Sequence, residues 1–408
     1  MAFMKWAGTN LVLMALMALA GCSVLGPGKK LNWQSPYIDF SSLEEGDIVH
    51  IPTGVEVSKE QLIGMLSSAR VVYVGETHDN IHAHRVQLEI LEALWERYPG
   101  EIAVGMEMLK RSSQEVADQW SLGNLGEKEF VKAWQEDWTD DFEYYEEILR
   151  YIREKEIPLL ALRPPDDWLE KVKGDESPQQ PADDRDRLPK MDRSDPYHRA
   201  HVEAVFGTHP GKAQDFEDFY RVQVLWDESM AARIAEYLLS EEGEDKRVVV
   251  FAGGQHVEYG FGIPRRVFRR IPLPYAIVLP TAVLIAPEKQ HKVMDVTMPE
   301  IPLSPADFAW VVRYEGLDVQ KVYLGVMVRG GEGGLRVLST IKNSVAEEAG
   351  LKKADIITAF DGEPIETTFD LTYLIGRKRP GDKGVVEVLR GEEPLHFEVT
   401  FKESHMHR

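Results

Sequence analysis

The chain of 408 residues has a single cysteine, so no disulfide can close within it and the fold must rest on packing and hydrogen bonding. Basic residues are scarce: 47 Lys and Arg stand against 68 Asp and Glu, for a net charge of −21. That balance argues against nucleic acid or an anionic membrane surface as the main partner, since both are held by basic patches. Long apolar runs are also missing. The run from Leu11 to Ala20 is too short to span a bilayer comfortably. The 43% hydrophobic content nevertheless supports real cores, and the length predicts two or three domains.

The amino terminus has the order of a secretory leader: Lys5, the short apolar run, then small residues before Cys22. The stretch Leu19–Cys22, "LAGC", resembles the bacterial lipobox, in which the cysteine is lipidated and becomes the mature terminus. Residues 1–21 are expected to be the lipoprotein signal peptide, and residues 22–44 the lipidated N-terminus and tether. A lipid on Cys22 would hold the protein to a membrane without any spanning helix. By analogy with enteric lipoproteins, Ser23 favours the outer over the inner membrane, placing the chain in the periplasm-facing cell envelope.

From residue 45 the pattern is α/β. Runs at 70–78, 101–108, 158–165 (apolar up to Arg163 and stopped by its prolines), 247–256 and 275–280 read as strands, separated by amphipathic helical stretches such as 82–98 and 215–242. The alternation predicts a mostly parallel sheet with helices on both faces over residues 45–285. A Pro-rich linker, 286–305, then separates it from a small β-rich domain at 306–408. Between the third strand and the long helix lies an Asp- and Pro-rich segment long enough to be a lid or binding loop.

In open parallel sheets the ligand crevice lies at the carboxyl ends of the strands. Two strands end alike: Gly75-Glu76-Thr77-His78 and Gly253-Gly254-Gln255-His256. In both, glycine permits a tight exit from the strand and histidine follows three residues later. Glu107 and Arg163 end the strands at 101–108 and 158–163. His78, His256 and Glu76 are therefore candidate ligands of a divalent transition metal. Glu76, Glu107 and Arg163 are candidate catalytic groups, with Arg163 suited to an anionic group or developing oxyanion. His82, one turn beyond His78, is the better accessory ligand, and His84 is expected on the helix surface.

The segments "VVYVGETHDNIHAHRVQLEILEAL", "VGMEM", "DPYHRAHVEAVF", "VQVLWDESMA" and "VVVFAGGQHVEYGFGIPRRV", in this order, resemble the ChaN family of haem-binding, iron-regulated bacterial lipoproteins. That family lies within the wider Tiki and erythromycin-esterase-like superfamily. The residues carrying the resemblance are Glu76, His78, Glu107, Gln223, Asp227 and His256. For the ChaN branch it implies haem binding and haem or iron uptake; for the superfamily it implies a metal-dependent hydrolase centre. Haem iron takes an axial His, Tyr, Met or Cys. Tyr259 and, in the long loop, Tyr197, His198, His201 and His209 are available, with His82, Gln223 and Asp227 as further pocket residues.

The stretch 323–401 resembles a PDZ domain of the bacterial protease-associated type, through Tyr323-Leu324-Gly325-Val326, "SVAEEAGLKKADIITAFDG" and "DLTYLIG". The resemblance implies that the backbone amides of Leu324, Gly325 and Val326 receive a peptide C-terminal carboxylate while the peptide adds as a strand. Leu371, Leu374 and Ile375 would line the side-chain pocket, and Ala354 stands where the motif usually has glycine. Three readings result: a haem- or iron-binding envelope lipoprotein with a peptide-binding arm, a metal-dependent hydrolase or peptidase, and a scaffold led by its PDZ domain.

Overall fold

The computed structural model describes residues 37–138, 142–172, 188–207, 215–285, 299–317 and 320–403. The expected leader, Cys22, Ser23, most of the expected tether and His209 lie outside them. Among the described residues, eight strands build the first sheet: β1 (Ile48–His50), β2 (Val55–Glu56), β3 (Val71–Glu76), β4 (Ile102–Lys110), β5 (Leu159–Arg163), β6 (Arg247–Gly253), β7 (Tyr275–Leu284) and β8 (Phe308–Arg313). Their order is β2-β1-β8-β7-β3-β6-β4-β5. Strands β3 to β8 run parallel, and β1 and β2 add an antiparallel edge.

Every residue of β3 and β5 is buried, as expected of strands covered on both faces. The alternation of side chains divides them between two cores. Val72, Val74, Val104 and Phe251 pack under the helices Lys59–Leu66, Ile81–Arg97 and Glu146–Glu154. Val71, Tyr73, Ala103 and Val250 pack under Phe216–Leu238 and Ile263–Arg270. Each buried large apolar side chain contributes about 1.5–3 kcal/mol. Asn80 caps Ile81–Arg97 by accepting from the His82 amide, and Asp215 caps Phe216–Leu238. The long charged segment is more structured than its composition suggests. It holds the helices Asp166–Val172 and Pro196–Phe206, the second begun by Asp195 at its cap and a proline in its first turn.

Strand order sets the crevice. From β3 the chain steps past the position of β6 to β4 and β5, returns to β6, then crosses β3 to β7 and β8. The connections therefore diverge around β3 and β6, where a doubly wound sheet opens a crevice at its carboxyl edge.

One boundary moves. Residues 306–313, assigned from sequence to the second domain, belong to the first sheet, where β8 pairs with β7 on one side and β1 on the other. Phe308 to Val312 are all buried, and the Asp307 carboxylate accepts the Ile277 amide at 2.8 Å, fixing the return. The Pro-rich stretch before it is an excursion between neighbouring strands rather than a domain boundary.

The second domain is an antiparallel sheet of β9 (Val326–Gly331), β10 (Gly334–Thr340), β11 (Ile356–Phe360), β12 (Glu363–Pro364), β13 (Lys383–Arg390) and β14 (Glu393–Thr400). It closes a core of its own around Leu335, Ile357, Phe360, Leu371, Val386 and Phe401. Strand β9 lies at the edge of this sheet. The helix Thr368–Gly376 turns Leu371 and Ile375 into that core, while Phe369 and Tyr373 pack against the core of the first domain. Lys128 pairs with Asp370 at 2.7 Å, and Arg377 and Tyr373 both reach Glu127.

Ala354 takes φ = 77°, the left-handed conformation that an L side chain resists. Ala354→Gly should therefore stabilise the second domain by about 1 kcal/mol, read as a higher urea midpoint with an unchanged slope; a midpoint that does not rise would mean the turn is unstrained.

Candidate functional site

Both Gly-x-x-His turns deliver their histidines to the crevice. At the end of β3 the Glu76 carboxylate is buried and accepts from His78 Nδ1 at 2.6 Å, from the Tyr145 hydroxyl at 2.6 Å and from Gln87 Nε2 at 2.7 Å. Burial by itself would raise its pKa, but His84, His78 and Tyr145 outweigh it and hold Glu76 at about 2. The contact through Nδ1 fixes the orientation of the His78 ring at the crevice, and its side chain is 34% exposed.

The β6 turn repeats the arrangement with a carboxylate from elsewhere. His256 Nδ1 donates to Asp227 Oδ1 at 2.7 Å, and His198 Nε2 donates to Asp227 Oδ2 at 3.0 Å. Arg266 Nη2 lies 3.4 Å from His198 Nδ1, so that nitrogen is the acceptor and the Nε2–H tautomer is fixed. Burial would lift Asp227, yet the two imidazoles hold it well below the usual carboxylate range. The imidazoles move in opposite directions. Burial lowers His198 more than Asp227 raises it, whereas Glu107 and Asp227 overcome the burial of His256 and raise it above 6.5.

Glu107 joins the two halves. Its Oε2 accepts the Gly253 amide at 2.7 Å, and its Oε1 lies 3.5 Å from His256 Nε2. The ladder between β4 and β5 slips between Met106 and Lys110, beside this residue. A Cβ on Gly253 would stand 3.1 Å from His78 Nε2 and 3.6 Å from Glu107 Oε2, so glycine there lets the His78 ring lie against the β6 turn. Gly75 has the matching role, since a Cβ would meet Leu279 at 2.6 Å.

Several expected roles change. His84 is buried rather than on the surface. Its Nε2 faces the His78 carbonyl at 3.0 Å and its Nδ1 faces the Gln87 carbonyl oxygen at 3.1 Å, with Glu76 Oε2 at 3.7 Å. His82 points away from the pair, to Glu315 Oε2 and Arg313 Nε at 3.1 Å each, and is not an accessory ligand. Asp227 is an orienting group of His256. Gln223 is part-buried one turn earlier and makes no hydrogen bond among the described residues. The expected metal set of Glu76, His78 and His256 does not assemble. Both oxygens of Glu76 are committed to His78, Tyr145 and Gln87, and among the described residues no group of three or more His, Cys, Asp or Glu is arranged to hold a metal ion. What the arrangement offers is two carboxylate-oriented imidazoles and a third carboxylate, Glu107, held between the Gly253 amide and His256, fit for proton transfer or for one axial contact.

Two indoles complete the crevice. Trp138 lies edge-on to His78 at 4.9 Å and Trp226 lies parallel to His256 at 5.8 Å, and Arg163 sits over both rings. Farther along, Tyr197, Phe261 and Tyr259 form a stack with centroid separations of 6.1 and 5.4 Å, and His201 packs against Tyr259 at 5.8 Å. Tyr259 has φ = 56°, and burial together with Glu258 pushes its hydroxyl up to about 12. Missed from sequence were Gln87, Tyr145, Trp138 and Trp226, and His198, expected as an available axial donor, is held on Asp227. Gln87 and His84 carried a signal: both lie on the apolar stripe of their helix, four and seven residues before Leu91, where an unpartnered polar group would be costly.

In the second domain Gly325 has φ = 79°, and the carbonyls of Leu324 and Gly325 accept from the amides of Ala346 and Ile341. Among the described residues the amides of Leu324 and Gly325 make no hydrogen bond to a backbone carbonyl.

A family model described as haem-binding uptake, Tiki superfamily, ChaN matches residues 62–267, and a PDZ domain model matches residues 322–401. A solved structure of similar fold, cofacial heme binding to ChaN of Campylobacter jejuni, covers 66% of this chain and 97% of its own, with a TM-score of 0.50 and 17% identity. A probable periplasmic serine endoprotease DegP-like of Hahella chejuensis is 38% identical over 66 residues, 16% of this chain and 14% of that protein. The periplasmic pH-dependent serine endoprotease DegQ of Escherichia coli is 35% identical over 71 residues, 17% and 16% of the two chains. These protease matches fall on the PDZ region, so the chain spans about a seventh of the curated relatives' length.

In Asp227→Asn the His256 titration midpoint should fall, because one of the two groups that raise it is gone. A base whose pKa is raised on folding adds stability that is complete below its unfolded value and is lost as pH rises through the folded one. The wild type should accordingly lose this contribution above about pH 6.5, and the variant should lose less. Long-range ¹H–¹⁵N correlation of the imidazoles reads the midpoint, and an unchanged value would remove the Asp227–His256 contact.

Proposed function

The chain belongs to the ChaN family of haem-binding uptake proteins in the Tiki superfamily, and on that premise we propose that it is a lipid-anchored envelope protein that binds haem through its α/β domain and peptide C-termini through its PDZ domain. The Cys22 lipobox and Ser23 support an outer-membrane, periplasm-facing location and a part in haem or iron uptake. Haem supplies an iron that takes one or two axial protein donors, usually His or Tyr.

The observation that carries the haem reading is the stack of Tyr197, Phe261 and Tyr259 with His201 against it. The flat face of a haem suits a planar donor-bearing surface of this kind. Tyr197 is 43% exposed, and the buried His201 Nδ1 has no hydrogen-bond partner among the described residues, so donors of the right kind are present. The stack adjoins the paired-histidine crevice through Glu258, whose Oε1 would lie 3.3 Å from a Cβ on Gly254. The PDZ reading is supported by the bare Leu324 and Gly325 amides next to the edge strand β9. A second reading, hydrolysis, is favoured by the two carboxylate-held imidazoles facing Glu107, a proton-transfer design that haem carriage does not need.

Titrating the untagged protein with haemin should give a saturable Soret shift, weakened about tenfold or more, about 1.4 kcal/mol, in Tyr259→Phe or His201→Ala. No saturable shift, together with ester hydrolysis lost in His78→Ala and His256→Ala, would replace the haem reading with the second. Peptides with a free C-terminal carboxylate should bind the second domain and their amidated forms should not. Gly325→Ala, whose Cβ would stand 2.2 Å from that of Ser344, should abolish the difference. Equal binding of acid and amide would sink the peptide reading.

A further inference from the structure

Among the described residues, Arg163 is a buried charge of the crevice with no hydrogen-bonded or ion-paired partner. It ends β5 and is only 8% exposed, and its Nε is among the atoms buried without a partner. Buried cations are ordinarily paired. The indole Nε1 atoms of Trp138 and Trp226 are likewise buried and without partners. These three groups are neighbours, because the Arg163 guanidinium carbon lies 5.3 Å from the Trp138 ring and 5.6 Å from the Trp226 ring. The same two rings touch His78 and His256, so the guanidinium belongs to the crevice that holds the imidazole pair.

We propose that Arg163, flanked by the indole rings of Trp138 and Trp226, is a subsite for the carboxylate of the crevice ligand. A guanidinium presents two parallel N–H groups that match the two oxygens of a carboxylate, and indole walls exclude the water that would weaken the pair. The surrounding charge selects among anions. Asp137, Glu107 and Asp166 all act on Arg163 electrostatically, so a dianion such as phosphate meets three carboxylates, whereas a single carboxylate replaces only the missing partner. Two sources share this chemistry, a propionate of haem and the carboxylate of a small organic acid. The inference rests on the crevice being the ligand site, and it stands whether or not the ligand is haem.

The test uses the full chain and its tryptophan fluorescence. Benzoate should give a saturable change that benzamide and inorganic phosphate do not, with affinity reduced at least tenfold in Arg163→Gln and partly retained in Arg163→Lys. Haemin and haemin dimethyl ester form the second arm. A tenfold preference for the free acid that disappears in Arg163→Gln identifies a propionate; a benzoate response with no such preference identifies a small acid and leaves the haem reading to stand or fall separately. If benzoate and the haemin pair are both insensitive to Arg163, or phosphate binds better than benzoate, the subsite is overturned. Thermal unfolding separates a structural role: removing an unpaired buried charge should leave the ligand-free midpoint unchanged or higher, and a fall in the midpoint with unaltered benzoate affinity would count against the proposal.

Discussion

Three carboxylates, Glu76, Glu107 and Asp227, are buried at one edge of the sheet, and each must find donors or cost several kcal/mol. That requirement reaches far along the chain. Glu76 draws Gln87 and His84 from the helix after β3 and Tyr145 from the turn before Glu146–Glu154. Asp227 draws His256 from the β6 turn and His198 from the helix Pro196–Phe206. Glu107 takes the Gly253 amide and so locks β4 to the end of β6. Four separate segments are pinned to the carboxyl edge by the need to satisfy negative charge, and the imidazoles are positioned as a result.

The two arms built this way are not equivalent. His78 stands a third exposed beside Trp138, while His256 is buried under Trp226 and biased toward its protonated form by Glu107 and Asp227. One imidazole is therefore partly open to solvent, and the other is enclosed beside two carboxylates that favour its protonated form. This asymmetry arises from the source of the orienting carboxylate, local for His78 and distant for His256.

What could be read from sequence followed what is periodic or repeated. The strands around Val72, Val104 and Val249 are continuous apolar runs, and the repeated Gly-x-x-His turns gave both halves of the site and its location at strand ends. What could not be read depends on pairing at long range. His82 and His84 differ by two positions and look alike in sequence; one turns to Glu315 and the other to Glu76, and only the folded sheet decides which. Trp138 and Trp226 read as ordinary apolar positions until Arg163 is placed between them. The metal set failed for a related reason, because strand-end spacing puts Glu76 beside His78 but cannot say that Tyr145 and Gln87 already occupy it.

The return of β8 to the first sheet changes what it means to take this protein apart. The segment joining β7 to β8 connects two strands that are already zipped to each other, and β8 is also zipped to β1. A protease cut in that segment would leave the halves held together in native buffer and separable only once denatured. A clone ended at residue 305 would strip the α/β domain of a strand and expose β1 and β7 as raw edges prone to self-association. Clean separation of the two domains requires a cut beyond Arg313, because the linker suggested by composition lies inside the first domain.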